Sequence, residues 1–579
     1  MALDIAREAE RLLAARGQVP ESERLHDLFR TAWAYVLQES PEMATYTGTP
    51  GYDHRWTDMS LEAYARRNRE LDHPVRVIAS IDRAQLSPDD QVHADLFRRN
   101  AEEALEGRRF PAELLPLNQM SGVQQSVAQI LGLMTLSRRA DYENVVARLL
   151  GVGPLVDQNI ELMRAGLRRG LTPPRITLRD VPQQVRNQMV EDPAASPLLR
   201  AFQTPPPGID SASLAVLRDE AEAAYRSAVA PAHARLLAFL EEEYIPACRE
   251  TIGLSALPDG SAWYAFSARQ STTTRLTPEE IHALGLAEVA RIRGEMDAVV
   301  GESGFSGSFA EFVDFLRTDD RFFFTRAEDL LVAYRDICKR ADPELPRLFG
   351  TLPRLPYGVV AVPFYAEKSQ TTAYYEPGSP QSGRPGNFYA NTYDLRARPK
   401  WEMEALALHE AVPGHHLQIA LAQELADMPE FRKHGFYTAY IEGWGLYSES
   451  LGREMGFYKD PYSRFGQLTY EIWRAIRLVI DTGLHALGWT RDQAIAYFVE
   501  HAGKAEHDIV VEVDRYIVWP GQALAYKIGE LKIQELRRRA RQDLGARFDV
   551  RGFHDVVLGR GAVPLDVLEA QVDGWIRRA

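Results

Sequence analysis

Cysteine is nearly absent from this chain, which carries only Cys248 and Cys338 among its 579 residues. Two cysteines so far apart cannot build the dense disulfide framework of small secreted proteins, and they lack the paired spacing of a metal knuckle. We therefore expect both side chains to be buried structural residues in a protein that stays in a reducing compartment.

Long apolar runs and an excess of positive charge are also missing. The richest apolar stretch, 130–136, is far shorter than the about 20 residues that cross a bilayer, which excludes a membrane partner. Lysine and arginine number 67 against 81 acidic residues, giving a net charge of −14, which argues against a nucleic-acid partner. The first 17 residues are acidic from the start and have no apolar leader segment, so they predict an amphipathic helix and a cytoplasmic protein.

Helix signals dominate what is present. Ser87 and Thr277 are each followed by proline and two acidic residues, which is the pattern of a capped helix start. Thr490 opens a third start of the capping-box type. Between such starts, apolar residues recur at spacings of three and four, as in an amphipathic helix. Most of the chain is therefore predicted to be α-helical.

Two regions interrupt the helical pattern. A proline triplet within 204–208 cannot continue a helix and predicts a linker. The runs 357–362 and 386–392 are short, rich in β-branched or aromatic residues, and bounded by proline and glycine, so they predict a small sheet. The segment 376–385 between them is predicted to be a loop that covers or lines a site.

The strongest functional signal is a cluster of histidines. Three of the 14 histidines, His409, His415 and His416, fall within eight residues, and Glu410 follows the first of them. The segment resembles the H-E-x-x-H helix, in which two histidines one turn apart hold zinc and the glutamate activates the metal-bound water. We therefore predict a zinc site with Glu410 as the catalytic base.

The spacing departs from that helix, because Pro413 stands where the second histidine is expected. In an unbroken helix His415 points about 240° away from His409, whereas His416 faces back but lies roughly 10 Å along the axis. Pro413 breaks the helix and Gly414 tolerates the resulting bend. We predict that His415 is the second metal ligand and that His416 faces the substrate, although the two histidines can exchange these roles.

A catalytic zinc site needs a third protein ligand. Glu442 and Glu449 are seven residues apart and lie on one face of a predicted helix. We predict Glu442 as the third ligand, with Glu449 either in reserve or orienting a ligand histidine through its second N–H. Gly443 and Gly445 are poor helix formers, which favours the close approach of another helix at this point.

These motifs resemble a bacterial family catalogued as domain of unknown function 885. The likeness spans nearly the whole chain and rests on segments 409–416, 442–449 and 520–526, with further matches at 41–45 and 384–389. Members are regarded as similar to zinc peptidases, with a layout like that of angiotensin-converting enzyme, thimet oligopeptidase and carboxypeptidase Taq. The resemblance implies a mainly α, two-lobed metallopeptidase with a deep channel between helical lobes and a small sheet near the active site.

The same resemblance suggests further site residues. Those relatives use a downstream tyrosine to stabilise the oxyanion, and Tyr526 and Tyr516 are the candidates here. Arg515 is available for a substrate carboxylate. His501 and His507 are possible hydrogen-bond donors to substrate. The remaining candidates for lining the channel are Asn387 and Asn391, for which turn and edge-strand roles are equally compatible with the sequence.

The prediction is therefore a zinc-dependent hydrolase of peptide bonds in short peptides. The expected organisation is an N-terminal helical lobe at 1–204, a helical segment with a small sheet lining the cleft at 205–400, and a metal-binding catalytic region at 401–579. Two alternatives remain open. One is a metal-dependent hydrolase of another amide or ester, and the other is a catalytically silent binding protein.

Overall fold

The helix starts that the sequence marks are formed as predicted in a computed structural model, which describes residues 3–203, 209–363, 367, 370–504 and 506–579. The Ser87 hydroxyl accepts a hydrogen bond from the Asp90 N–H, and Thr277 and Thr490 each form a full capping box. The predicted linker 204–208 lies outside the described residues. The prediction of a mainly helical protein is confirmed.

The described chain folds into two compact units, which divide after Thr251. Unit 1 comprises Met1–Thr251 and Pro429–Phe431. Its helices are Ile5–Ala14, Glu21–Glu39, Pro41–Thr47, Leu61–Glu70, Asp72–Ala79, Pro88–Gly107, Val123–Leu133, Arg139–Arg168, Val181–Arg186, Ser211–Ala224, Ala230–Phe239 and Ile245–Ala247, with π-helical turns at Tyr225–Val229 and Leu240–Tyr244. Two clusters of buried apolar side chains form its core.

Unit 2 comprises Ile252–Met428 and Arg432–Ala579. Its helices are Gly260–Thr272, Pro278–Glu302, Phe309–Thr318, Ala327–Ala341, Leu345–Leu348, Met403–Glu410, His415–Glu424, Thr438–Leu451, Pro461–His485, Arg491–His501, Glu506–Val518, Ala525–Leu544, Val550–Leu558 and Leu565–Arg578. A short helix, Glu430–Lys433, crosses the boundary between the units.

The core of unit 2 surrounds the helix Pro461–His485, whose side chains are almost all buried from Phe465 onward. This helix packs along Pro278–Glu302, while Thr438–Leu451 packs along Ala525–Leu544. No helix in the described part of the chain is long and apolar enough to cross a membrane. The division into three segments and the channel between lobes stay predictions.

The predicted sheet is present and has three strands, β1 (Tyr357–Ala361), β2 (Ala373–Glu376) and β3 (Gly386–Ala390), in the order β1-β3-β2. β1 pairs with β3 in parallel and β2 pairs with β3 antiparallel. The two predicted runs correspond to β1 and β3, whereas β2 was not predicted. The sheet packs against the helices Ala327–Ala341 and Met403–Glu410.

Candidate metal centre

The chain around His409 forms two short buried helices instead of one. The His409 helix spans Met403–Glu410 and the His415 helix spans His415–Glu424. Pro413 lies between them, has no N–H to donate and cannot extend the first helix. At Gly414 a Cβ atom would overlap the carbonyl oxygen of His409, so only glycine allows the two segments to approach this closely.

This turn brings His415 back to His409, and a third helix supplies a carboxylate. The two imidazole rings lie 4.6 Å apart, nearly perpendicular at 89°. Glu442, on the Glu442 helix (Thr438–Leu451), places Oε2 at 3.4 Å from Nε2 of His415 and 3.6 Å from Nε2 of His409. One potential ligand atom from each of the three residues lies within 4.8 Å of the other two. We call these three side chains the triad.

The triad fits a divalent metal ion in its donor types and spacing. Ligand atoms at 2.0–2.2 Å from tetrahedral zinc lie about 3.3–3.6 Å from one another. The two distances to the Glu442 carboxylate match that value. Two imidazole nitrogens and one carboxylate oxygen are also a donor set that catalytic zinc sites use.

Hydrogen bonding and charge prepare His409 for a cation. Its Nδ1–H donates to Oε1 of Glu449 at 2.8 Å, which leaves Nε2 directed to Glu442. Burial lowers the pKa of His409, but the hydrogen bonds with Glu442 and Glu449 outweigh it and raise the pKa to about 9. Burial raises the pKa of Glu442, but the two histidines hold it well below its ordinary value. The carboxylates thus stabilise positive charge at this position, carried by a proton on the His409 ring or, in place of that proton, by a metal ion.

Glycines allow the Glu442 helix to approach its neighbours, as the sequence predicted. A Cβ atom on Gly445 would lie 2.7 Å from Cε1 of His409, which leaves no room for any larger residue. A Cβ atom on Gly443 would lie 2.5 Å from the backbone of Gly529, on the Tyr526 helix (Ala525–Leu544). Both contacts fix the position of the carboxylate of Glu442 relative to the imidazole.

Glu410, the predicted base, is buried beside the triad. It is the last residue of the His409 helix and is 8% exposed. It directly follows His409 in the chain, and its charge contributes to raising the pKa of His409. Among the described residues, none donates a hydrogen bond to the Glu410 carboxylate.

The structure resolves which histidine joins the triad. His415 lies next to Glu442, whereas His416 points toward the sheet. The Tyr375 hydroxyl donates to Nδ1 of His416 at 2.9 Å, and the Tyr357 ring packs 4.5 Å from its ring. Burial lowers the pKa of His416 to about 4, so the ring is neutral. A substrate contact for His416 stays a prediction.

Tyr526 lies beside the triad. In the described part of the chain, Tyr516 makes no contact with the triad. The Tyr526 ring stacks 6.4 Å from the His409 ring. Its hydroxyl accepts hydrogen bonds from Nη2 of Arg515 at 3.1 Å and from Nε2 of Gln522 at 3.4 Å. The Tyr516 hydroxyl instead accepts from Nε of Arg477. A direct role of Tyr516 in the reaction stays a prediction.

Two buried arginines near Tyr526 were not predicted. Arg474 and Arg477, on the arginine helix (Pro461–His485), are 5% and 3% exposed. The guanidinium carbon of Arg477 lies 4.4 Å from the centre of the Tyr526 ring. The sequence signal that marks them is a pair of charges three residues apart inside an otherwise apolar stretch of helix.

The other predicted substrate contacts lie in different surroundings. Asn391 is buried, its amide nitrogen donates to three backbone carbonyls and its oxygen accepts from the Tyr393 N–H, which is a turn-forming role. Asn387 is half-buried on β3, opposite Gly358 of β1. His501 donates to the Tyr497 carbonyl, and His507 is exposed. None of these contacts tests a role in binding substrate.

Comparison with known proteins agrees with the resemblance seen in the sequence. Residues 41–572 match the family described as "Bacterial protein of unknown function (DUF885)". A search of curated proteins finds no match.

Two solved structures share the fold. A protein from Colwellia psychrerythraea, described as a "putative lipoprotein", is 30% identical, with a TM-score of 0.91 over 97% of this chain and 100% of that one. A protein from Shewanella oneidensis, described as a "putative lipoprotein of unknown function", is 18% identical, with a TM-score of 0.67 over 95% of this chain and 99% of that one. The second likeness concerns the fold alone.

Proposed function

Because the chain belongs to the DUF885 family of bacterial proteins, whose function is unknown, we propose from the site itself that it is a zinc-dependent peptidase acting on short peptides. The observation that carries the proposal is the convergence of His409, His415 and Glu442 next to an unligated buried acid, Glu410. A purely structural metal site has little use for such an acid.

The triad would hold the ion through Nε2 of each histidine and a carboxylate oxygen of Glu442. A zinc ion held by these three residues would supply Lewis acidity, which would lower the pKa of a water toward about 7 and polarise the substrate carbonyl. Glu449 keeps the His409 ring in the orientation and tautomer that this arrangement requires.

The remaining steps belong to the protein's own side chains. The Glu410 carboxylate accepts a proton from the water that attacks the peptide carbonyl, and later delivers it to the nitrogen of the leaving amine. The Tyr526 ring lies 6.4 Å from the His409 ring. Its hydroxyl donates a hydrogen bond to the oxyanion that develops on the carbonyl oxygen. Arg515 and Gln522 position that hydroxyl.

The proposal is tested by metal analysis and a peptide assay on the same purified sample. We expect about one zinc ion per chain and cleavage of short peptides that a chelator abolishes. The Glu410→Gln variant should keep the metal but lose turnover by roughly 10²- to 10⁴-fold, since it cannot accept the proton.

The matched control is Glu500→Gln, which removes an exposed carboxylate elsewhere in unit 2 and should leave activity unchanged. Full activity in Glu410→Gln would remove the proposed base. A protein that binds no metal, or that binds zinc but cleaves no peptide in a library read by mass spectrometry, would contradict the proposal as a whole.

We also propose a cytoplasmic location, because both cysteines are free and buried. The description of the two structural neighbours as lipoproteins is a statement about those proteins. We expect the protein in the soluble fraction when cells that express it are separated into soluble and membrane fractions. Recovery in the membrane fraction would contradict the proposal.

A further inference from the structure

Three arginine side chains surround Tyr526, one aromatic ring away from the triad. The guanidinium carbons of Arg477 and Arg474 lie 4.4 and 6.0 Å from the centre of the Tyr526 ring. Nη2 of Arg515 donates to the Tyr526 hydroxyl at 3.1 Å. The Tyr526 ring in turn lies 6.4 Å from that of His409. In a chain of net charge −14, positive charge is thus concentrated beside the candidate metal centre.

The arginines have fewer acceptors than they can use. Glu512 lies 3.1 Å from Arg477 and 3.5 Å from Arg515. Glu449 lies 3.4 Å from Arg474 but also accepts the hydrogen bond of a triad histidine. Three guanidinium groups therefore share two carboxylates.

Each of the three arginines also keeps one unused donor. Nε of Arg474, Nη1 of Arg477 and Nε of Arg515 are buried and have no hydrogen-bond acceptor among the described residues. A buried donor without an acceptor costs free energy, and a carboxylate is the acceptor that a guanidinium matches best. Arg515, with 12% of its side chain exposed, is the most exposed member of the cluster, since the side chains of Arg474 and Arg477 are 6% and 4% exposed.

Resting on the proposed function, we infer that this arginine cluster binds the C-terminal carboxylate of the substrate, so that the enzyme releases one or two residues from the C-terminal end of short peptides. An extended peptide advances about 3.3–3.6 Å per residue, so one or two residues cover a length comparable to the 6.4 Å between the centres of the His409 and Tyr526 rings, and the arginines lie against the latter. In the reaction the peptide C–N bond breaks, water supplies oxygen to the new carboxylate, and the released amine takes a proton.

Binding is the test that does not depend on turnover. Metal-loaded Glu410→Gln protein is titrated by calorimetry with N-acetyl-trialanine, with its C-terminal amide, and with an amide whose last residue is glutamate. We expect the free acid to bind about tenfold or more tightly than the plain amide, since a hydrogen-bonded charge pair is lost. Adding Arg515→Gln should abolish the difference. Adding Arg541→Gln, an exposed arginine on the Tyr526 helix, should preserve it.

Several outcomes would overturn the inference. These are equal affinity for acid and plain amide, no binding of either, a preference that survives Arg515→Gln, or binding of the glutamate amide as tightly as the free acid. The free acid and the amide are compared on protein that retains Arg515. The inference therefore remains testable even if the Arg515→Gln variant does not fold.

Hydrolysis by the wild-type protein separates this inference from the proposed function. Cleavage of the acid and the amide at equal rates would support the peptidase activity but contradict the binding site for the C-terminal carboxylate. Preferential binding of the free acid without cleavage of any peptide would support the binding site for the C-terminal carboxylate but contradict the peptidase activity. Preferential cleavage of the free acid, with release of one or two C-terminal residues, is the result we expect.

Discussion

At the scale of single residues, Asp481 is a carboxyl group placed where its charge is disfavoured. It is fully buried on the arginine helix and accepts hydrogen bonds from the Tyr264 hydroxyl at 2.6 Å and the Gly521 N–H at 3.0 Å. Burial raises its pKa to about 7, although both hydrogen bonds oppose the shift. The contact with Gly521 ties down the turn that leads to Tyr526.

The raised pKa predicts a pH-dependent stability. Between pH 4 and pH 7 the folded protein holds a proton that the unfolded chain releases, so this group's contribution is present at low pH and is lost as the pH rises through 7. Asp481→Asn keeps an acceptor oxygen but cannot ionise. Relative to wild type, it should gain about 2.5–3 kcal/mol in free energy of unfolding between pH 5 and pH 8, since only the folded wild-type protein holds the proton over about two of those three pH units.

Urea unfolding of both proteins at pH 5 and pH 8 measures this change. Asp492→Asn, which removes an exposed carboxylate, is the control and should show no such gain. If the difference between Asp481→Asn and wild type is the same at both pH values, Asp481 does not hold the proton.

At the scale of elements, the crossing of the Glu442 helix and the Tyr526 helix holds the site together. Gly443 and Gly529 face each other there, and a Cβ atom on Gly529 would overlap the carbonyl oxygen of Ala439. Gly529→Ala should force the helices apart, lower the free energy of unfolding by about 1–3 kcal/mol and weaken zinc binding. Chemical denaturation and zinc titration of the purified variant measure the two effects.

The matched control for that variant is Gly294→Ala, within the helix Pro278–Glu302, where a Cβ atom meets nothing within 4 Å. That change should be neutral or stabilise by up to about 1 kcal/mol, because alanine is the better helix former. Equal stability and zinc affinity of Gly529→Ala and wild type would show that the crossing tolerates a wider separation.

Elements also show how far sequence reasoning reaches. The break at Pro413 was predicted from the missing N–H, yet spacing alone could not choose between His415 and His416. That choice depends on the direction the backbone takes through Gly414, which only the folded chain specifies. β2 was missed because it has four residues and is stabilised by pairing with β3.

Tertiary contacts explain the other omission. Arg474 and Arg477 interrupt an apolar helix face, and a charge in that position is equally compatible with a surface residue or a buried one. Their burial is decided by Tyr526 and Glu512, which come from later segments of the chain. Glu442, by contrast, was predictable, because a carboxylate among helix-packing glycines has few other uses.

At the scale of the whole molecule, a metal ion bound by the folded triad should stabilise the protein by mass action. At a hundredfold excess over Kd the gain is about 2.7 kcal/mol, provided that the unfolded chain does not bind the ion. We expect added zinc to raise the melting temperature of the metal-stripped wild-type protein, as measured by scanning calorimetry.

Two neighbouring histidines provide the matched variants for this measurement. His416→Ala should retain the zinc-dependent rise in melting temperature, since His416 lies against Tyr375 and Tyr357. His415→Ala should lose it together with the bound zinc. The reverse pattern would show that the ligand is His416 and that the triad is not the metal site.

The helix Thr438–Leu451 carries two carboxylates of the site. Glu442 belongs to the triad, and Glu449, two turns further on, accepts the hydrogen bond that orients the His409 ring. A translation of this helix along its axis would displace both carboxylates from His409 at the same time. The metal ligand Glu442 and the orientation of His409 therefore depend on the position of one helix, so a change that displaces this helix should weaken metal binding through both residues together.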